Sequence, residues 1–323
     1  MDYQIPEVPF QKYRFTVAAT QRSFLPAYKG SMLRGAFGQQ LKKTTCVFPQ
    51  NAECKTCSLH AACAYTCLFE SAIEKEPPPF LHGLDTAPRP YIFFCENYNE
   101  TLQSGETFTF DFTLIGTACV FFREAILAIM QTATAGFSVR RHPFEIVKIE
   151  CLESVPAASS AWHTLYDGKI MSNLQPKIIP YVPMEKLPNP LRMDFVTPLR
   201  MKIKGHLAMR VTFRQLVFQM LRRLLELGYF YAPDQRIDWE FNALLKMADA
   251  VYVIDEDFKW ADWARFSDRQ NREVQMGGFQ GHLTLDGDMH PFNHLIQAVT
   301  WLHAGKGAVF RLGKIQCSRY AIS

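Results

Sequence analysis

No run of eighteen apolar residues occurs anywhere in the 323-residue chain, so no bilayer-spanning helix is expected. The first ten residues, MDYQIPEVPF, are acidic and short of apolar side chains. No secretory leader is expected from them, which assigns the chain to the cytoplasm and makes a disulfide framework a poor reading of its cysteines. Two nucleotide-binding signatures are missing. No Gly-Lys-Ser/Thr opens a helix, as a Walker loop requires, and no glycine cluster follows a strand, as the dinucleotide fingerprint requires. Acid is scarce where base gathers. Between Arg192 and Arg223, Asp194 is the single acid against Arg192, Arg200, Lys202, Lys204, Arg210, Arg214, Arg222 and Arg223. No acid follows Asp288, whereas Lys306, Arg311, Lys314 and Arg319 do; Asp and Glu concentrate instead between Asp234 and Asp268. A net charge of +4 is mild, but two basic segments in one half of the chain favour a polyanion-binding face.

What is present is a globular composition, 48% hydrophobic and 20% charged, in a chain long enough for two domains with a core in each. The glycine-rich stretch from His303 to Gly313 (HAGKGAVFRLG) is too glycine-dense for a helix and too basic for a simple hairpin. Gly305, Gly307 and Gly313 permit positive φ and close backbone approach. Exposed N–H groups beside Lys306 and Arg311 would suit a phosphate chain. Because these glycines follow a helix and precede a strand, an extended polyanion such as RNA fits better than a nucleoside triphosphate.

Nine cysteines are present, and Cys46, Cys54, Cys57, Cys63 and Cys67 share one short segment, CVFPQNAECKTCSLHAACAYTC. Cys54-x-x-Cys57 is half of a zinc site, a turn that aims two thiolates at one tetrahedral centre, with Cys63 and Cys46 to complete it. Structural zinc is the expectation, an iron–sulfur cluster the alternative, and His60 at most a substitute ligand. Cys95, Cys119, Cys151 and Cys317 lie in apolar contexts and read as core.

The pattern of elements is β-α-β-β-α-β, twice. In the first half, strands are expected at Tyr13–Ala19, Tyr91–Cys95, Glu106–Ile115 and Phe144–Leu152, with helices at Ser31–Lys43 and Phe121–Ala135, the latter closed by Gly136. In the second half, strands are expected at Phe195–Lys204, Asp262–Gln270, Gly278–Leu285 and Ala308–Ile315. Thr212 caps a helix that Gly228 stops, Gln215 completes a capping box, and Pro291 opens the last helix. This is the split unit of the ferredoxin-like fold. The expected architecture is α+β: a first domain over residues 1–175 with a cysteine-rich insertion at about 44–90, a proline-rich linker over 176–195, and a second domain over 196–323 carrying the glycine-rich loop 305–313.

Several motifs together carry a resemblance. Thr197-Pro-Leu-Arg200, the helix end Arg222–Tyr231 (RRLLELGYFY), Arg265–Gln270 (RFSDRQ), Gly277–Gly281 (GGFQG) and His303-Ala-Gly-Lys-Gly307 resemble the CRISPR-associated repeat-processing endoribonucleases of the RAMP superfamily. So do Gly30–Gly38 (GSMLRGAFG), the cysteine segment ending in Tyr65 and Leu68-Phe-Glu70, and the stretch from Gly105-Glu106 to Leu114-Ile-Gly116. The resemblance implies tandem ferredoxin-like (RAMP/RRM-like) domains, a basic RNA cleft between or across them, and metal-independent cleavage of precursor CRISPR RNA. In that chemistry the 2′-hydroxyl attacks the adjacent phosphate, giving a 2′,3′-cyclic phosphate and a 5′-hydroxyl. The implied partners are CRISPR repeat RNA and other CRISPR effector subunits, with no membrane.

Such a reaction needs a base, a cation for the phosphorane and an acid. Family members often draw a histidine from the first helix of the N-terminal domain or its approach; here that helix has none. The candidates are therefore His303 as acid or base, with Tyr28, Lys29 and Arg34 near the first helix. RNA contacts are expected from Arg200, Arg265, Arg269, Gln270, Gly305, Lys306, Gly307, Arg311 and Gly313. Two other readings stand beside the nuclease: a non-catalytic RAMP subunit that grips crRNA, and a zinc-dependent nucleic-acid protein whose cysteine site touches RNA.

Overall fold

The computed structural model describes residues 5–48, 53–71, 73, 76–81, 84, 86–138, 140–155, 161–173, 175–180, 186–203, 205–235, 237, 241–262, 264–267 and 272–320. The chain forms two compact units: residues 9–180, and residues 181–323 joined by the first eight residues. The boundary thus falls within the proline-rich stretch, between residues 180 and 181, and the N-terminal segment belongs to the C-terminal unit.

In the first unit the elements are β1 (Phe10–Ala19), α1 (Lys29–Thr45), β2 (Tyr91–Phe94), β3 (Thr107–Ile115), α2 (Phe122–Ala135), β4 (Phe144–Leu152) and β5 (Trp162–Tyr166). The sheet order β2-β3-β1-β4-β5 is antiparallel throughout, a ferredoxin-like sheet with one added edge strand. Alternation in β1 buries Tyr13, Phe15 and Val17 on one face and leaves Lys12, Arg14 and Thr16 on the other. Leu33, Phe37 and Leu41, four residues apart, bring α1 onto the buried face. There the Phe37 ring lies 5.4 Å from Tyr91, 5.5 Å from Phe93 and 5.4 Å from Phe112. A short 3₁₀ turn at Gly116–Phe121 leads into α2, and Gly116–Ala135 is long and apolar enough to cross a membrane by length and composition. Here it packs inward through Ala125, Ile126, Ala128, Ile129 and Ala133.

The second unit contains β6 (Leu191–Leu199), α3 (Phe213–Tyr231), α4 (Asn242–Ala248), β7 (Tyr252–Ala261), β8 (Gly278–Asp286), α5 (Asn293–Leu302) and β9 (Ile315–Arg319), with sheet order β7-β8-β6-β9. That order is the ferredoxin-like one again. The capping box of α3 forms as expected: Gln215 N–H donates to Thr212 Oγ1 at 3.3 Å, and Thr212 N–H to Gln215 Oε1 at 3.0 Å.

Several expectations in this unit need correction. The helix does not stop at Gly228 but continues to Tyr231, because Gly228 is a packing hole: a Cβ there would meet Pro6 at 2.6 Å. The first strand runs Leu191–Leu199, where Phe195–Lys204 was expected, so it starts four residues earlier and ends five residues earlier. The acidic stretch before Asp262, where no strand was expected, holds the edge strand β7, anchored by Phe258 against Phe195 and Phe279. An edge strand tolerates Asp255, Glu256 and Asp257 because one side meets water. Of the strand expected at Asp262–Gln270, Ala264–Ser267 is a strand and pairs with Arg272–Gln275, while residues 263 and 268–270 lie outside the described residues. Finally, the closing strand begins at Ile315, since the glycine-rich loop occupies the residues before it.

On the open face of the first sheet, Asp111 is 8% exposed and holds Lys12 Nζ at 2.8 Å and Arg14 Nε at 2.9 Å. The Arg14 guanidinium also lies 4.1 Å from the centre of the Trp162 ring. Burial alone would push the Asp111 carboxyl up, but Lys12 and Arg14 outweigh it and hold it below the ordinary carboxylate range. A depressed folded value means stability that is present above pH about 4 and is lost as pH falls through the folded value. Two outcomes are expected in urea melts. Phe37→Ala costs about 3–5 kcal/mol. Asp111→Asn costs about 1–3 kcal/mol near neutral pH, discounted for the exposure of Arg14, and flattens the acid limb of the stability profile.

Candidate nucleic-acid interface

Antiparallel pairing of β1 with β4 sets Ala19 opposite Phe144, so the loop leaving β1 must meet the loop entering β4. Thr20 fastens the two: its N–H and its hydroxyl both donate to Pro143 O, at 3.4 and 2.8 Å. The junction carries Arg22 and Phe24 from the first loop and Arg140, Arg141 and His142 from the second. Phe24 is 37% exposed, with the Arg22 and Arg140 guanidiniums over its ring at 5.3 and 4.6 Å and the His142 ring 6.2 Å away. Among the described residues no carboxylate pairs with Arg22, Arg140 or Arg141, whereas Arg14, Arg192, Arg214 and Arg222 all have acid partners. Arg141 donates to Gln39 Oε1 at 3.3 Å. His142 is half-buried, and its Nδ1 is shielded without a hydrogen-bond partner. Gly136 shapes this loop, because a Cβ there would meet the Arg141 backbone at 2.4 Å.

This junction was missed in the sequence. Its two halves are short basic turns far apart in the chain, each ordinary alone. The available signal was an Arg-x-Phe and an Arg-Arg-His flanking strands that pair.

The candidates near α1 are differently placed. Tyr28 is the residue before the helix and meets Tyr98 edge to face at 5.9 Å. Lys29 is 0% exposed; its ammonium donates to Pro26 O, Asn97 O and Asn99 O at 3.3, 3.0 and 2.9 Å. Lys29 therefore ties down the loop around residue 98 and does not face a substrate, a correction to its expected catalytic role. Arg34 lies 4.4 Å from the centre of the Phe69 ring, and that ring occupies the space over Gly38, where a Cβ would meet it at 2.1 Å. Lys42, two turns on from Arg34, sits 5.6 Å from the Tyr65 ring, which stacks on Phe69 at 5.5 Å. Arg34, Gly38 and Lys42 thus form one stripe of α1, covered by Tyr65 and Phe69.

In the C-terminal unit the glycine-rich loop is a pedestal. Lys306 N–H donates to Arg200 O at 2.7 Å, Gly313 N–H to Pro198 O at 3.1 Å and Ala304 N–H to Gly313 O at 2.9 Å. Thr197 Oγ1 donates to Arg311 O at 2.8 Å and accepts from Lys314 N–H at 2.9 Å. Gly305, Gly307 and Gly313 take φ of 71°, 84° and 73°, and a Cβ at Gly313 would meet Ala304 O at 1.8 Å. Gly305 packs against the end of β6, where a Cβ would meet Leu199 at 2.8 Å, whereas Gly307 and Gly313 are required by contacts with Leu312 and Ala304 inside the loop. The N–H groups of Ala304, Lys306 and Gly313 are spent inside the fold, and the loop presents Lys306, its one exposed residue. Arg311 is 3% exposed and faces inward. Arg200 spends Nη1 on Gly277 O at 2.6 Å.

His303 is corrected as well. It is 3% exposed, caps α5 at φ 56°, and its Nδ1 is 3.0 Å from Leu312 O. It braces the loop from within. His294 is half-buried, and desolvation lowers its pKa to about 4, while His282 sits 2.8 Å from Asp255. The expected contacts Arg269 and Gln270 lie outside the described residues; Arg265 lies in the Ala264–Ser267 strand.

Among the described residues no three His, Cys, Asp or Glu side chains are grouped as a bound metal requires. Cys46, Cys54, Cys57 and Cys63 are free and half-buried. Burial pushes the Cys54 thiol up against the pull of Lys42, and Glu70, Cys46 and Cys63 add to the rise.

A family model described as an N-terminal domain matches residues 8–177, and the model of the CRISPR-associated endoribonuclease Cas6 matches residues 193–315. No curated protein matches the chain. Among solved structures, a Cas6 product complex aligns over 96% of this chain and 99% of that one, with TM-score 0.55 and 13% identity. Thermus thermophilus Cas6 aligns over 97% and 100%, with TM-score 0.51 and 11% identity. A partial Cas6-RT-Cas1–Cas2 complex aligns over 98% of this chain and 47% of that one, with TM-score 0.55 and 11% identity. At these identities the shared property is the fold, two ferredoxin-like units in tandem.

The pedestal makes a contrast that thermal melts can read. Gly313→Ala, which forces a Cβ against a backbone oxygen at positive φ, lowers Tm by several degrees, on the order of 2 kcal/mol or more. Lys306→Ala, at an exposed tip, leaves stability within about 0.5 kcal/mol.

Proposed function

We propose that the chain, whose residues 193–315 match the model of the CRISPR-associated endoribonuclease Cas6, is an endoribonuclease of that kind and cuts CRISPR repeat RNA by attack of a ribose 2′-hydroxyl on the adjacent phosphate. The 2′-oxygen bonds to phosphorus as the bond from phosphorus to the 5′-oxygen breaks. The hydroxyl proton passes to a base, and the departing 5′-oxygen takes a proton from an acid. The products are a 2′,3′-cyclic phosphate and a 5′-hydroxyl. Side chains can fill all three roles, so the reaction proceeds without a metal ion.

The observation that carries this reading is the junction of Arg22, Phe24, Arg140, Arg141 and His142. Three guanidiniums without carboxylate partners are suited to phosphates, and an exposed phenyl ring among them is suited to an unstacked base. His142 is the histidine within this cationic cluster, and we assign it the proton transfer; the buried His303, the half-buried His294 and the Asp255-bound His282 are committed elsewhere. Lys306 supplies a second, separate cationic contact from the C-terminal unit. A second reading is supported by α1, which carries no histidine and seals Lys29 away: the same junction grips crRNA within an effector complex and does not cut.

Incubation with the repeat RNA of its own locus in EDTA separates the two. The nuclease reading expects one discrete product ending in a cyclic phosphate; tight binding with intact RNA would establish the gripping subunit instead. In the cleaving case, His142→Ala slows single-turnover cleavage by about 10²–10⁴-fold with binding retained. Unchanged cleavage removes His142 from the mechanism. Replacing both Arg22 and Arg140 with Ala weakens binding and lowers the slope of log affinity against log salt by about 2.

A further inference from the structure

We propose that Lys29 is a positioning residue: its buried ammonium staples the short ribbon that carries Phe24, and so holds that ring ready for an unstacked base. The proposal rests on the reading of the junction as the RNA site and adds what sets its geometry. Ser23 and Phe24 pair with Leu102 and Thr101, two residues to a strand, and Leu25 N–H donates to Glu100 O at 2.9 Å just beyond them. Ser23 and Leu25 are buried and Phe24 between them is exposed, so the alternation of the ribbon turns the ring outward. A pairing this short is marginal by itself.

Both ends of the ribbon are fastened. At one end Ser104 Oγ donates to Thr20 O at 3.0 Å and Gly105 N–H to Ala19 O at 2.7 Å, which joins it to β1. At the other end the Lys29 ammonium reaches Pro26 O at 3.3 Å on the strand of Phe24. It also reaches Asn99 O and Asn97 O, at 2.9 and 3.0 Å, on the strand of Thr101. One cation thus bonds both chains where the pairing ends.

The charge is costly where it sits. Lys29 is 0% exposed, so its ammonium has lost its water, and it begins α1, where the helix dipole is positive. A methionine would fill much the same space without either cost. It could not donate, however, and these three carbonyls match the three donors of an ammonium. The charge therefore serves the join between the two chains, and through it the placement of the Phe24 ring beside Arg22, Arg140 and His142.

The test uses the full chain with the repeat RNA of its own locus, substituted at one position at a time with 2-aminopurine, whose fluorescence reports stacking. One position is expected to change on binding, and Phe24→Ala abolishes that signal. Lys29→Met abolishes it as well and weakens binding about tenfold, while the slope of log affinity against log salt, which the guanidiniums set, stays the same. Asp111→Asn, destabilised on the open face of the first sheet, keeps the signal. Circular dichroism shows whether Lys29→Met folds. Should it not fold, hydrogen exchange in the unaltered, RNA-free chain decides, where the Leu25 amide is expected to exchange slowly. The proposal is overturned by a folded Lys29→Met chain that keeps the stacking signal, or by a Leu25 amide that exchanges as fast as an open loop. A signal that is absent, or that Phe24→Ala leaves unchanged, overturns the reading of the junction itself and the positioning role with it.

Discussion

The first strand of each unit is hydrogen-bonded to the strand that follows the unit's last helix, and the placement of every exposed cation in the candidate interface follows from that pairing. Once β1 lies antiparallel to β4, the chain leaving β1 and the chain entering β4 share one end of the sheet, and Thr20 closes the junction onto Pro143. The second unit repeats the device with different chemistry. β6 pairs with β9, so residues leaving β6 meet the glycine-rich loop, joined through Gly313 to Pro198 and through Lys306 to Arg200. In one unit the junction displays a guanidinium cluster around an aromatic ring. In the other it displays one lysine on a rigid base.

The energetics of the two junctions differ accordingly. The C-terminal loop satisfies the N–H groups that pack it against β6 and takes left-handed glycine conformations to do so, which makes it stiff and leaves it few amides to offer a ligand. The N-terminal junction instead exposes charge without compensation. Self-repulsion among Arg22, Arg140 and Arg141 is a stability cost that the fold carries, and a polyanion would relieve it. On the open face of the first sheet, by contrast, Asp111 neutralises Lys12 and Arg14.

Much of the fold was legible. Phe144–Leu152 was placed to the residue, and the Thr212 capping box formed as written, because local hydrogen-bond chemistry and two-residue alternation are read from neighbours in sequence. Errors fell where tertiary context overrode the local pattern. Gly228 is a stop signal in isolation but a seat for Pro6 in the fold. The acids of β7 disguised an edge strand, and the glycines before β9 shortened the strand after them. The candidate site was less legible. Motif matching drew attention to His303 and Lys29, both of which the fold buries, since spacing does not report which way a side chain faces. Lys306 was placed in the correct loop for a reason that the packing replaced. Arg22 and His142 come together only through strand pairing, a long-range fact that neither turn contains.

The account stands on RNA meeting the strand-end junctions. The most direct measurement is photo-crosslinking of the chain to repeat RNA substituted with 4-thiouridine, followed by peptide mapping. The expected result is adducts on the peptides holding Phe24 and Arg140–His142, with a second set at Lys306. Crosslinks confined to the open sheet face around Lys12, Arg14 and Trp162, with both junctions unmodified, would contradict it.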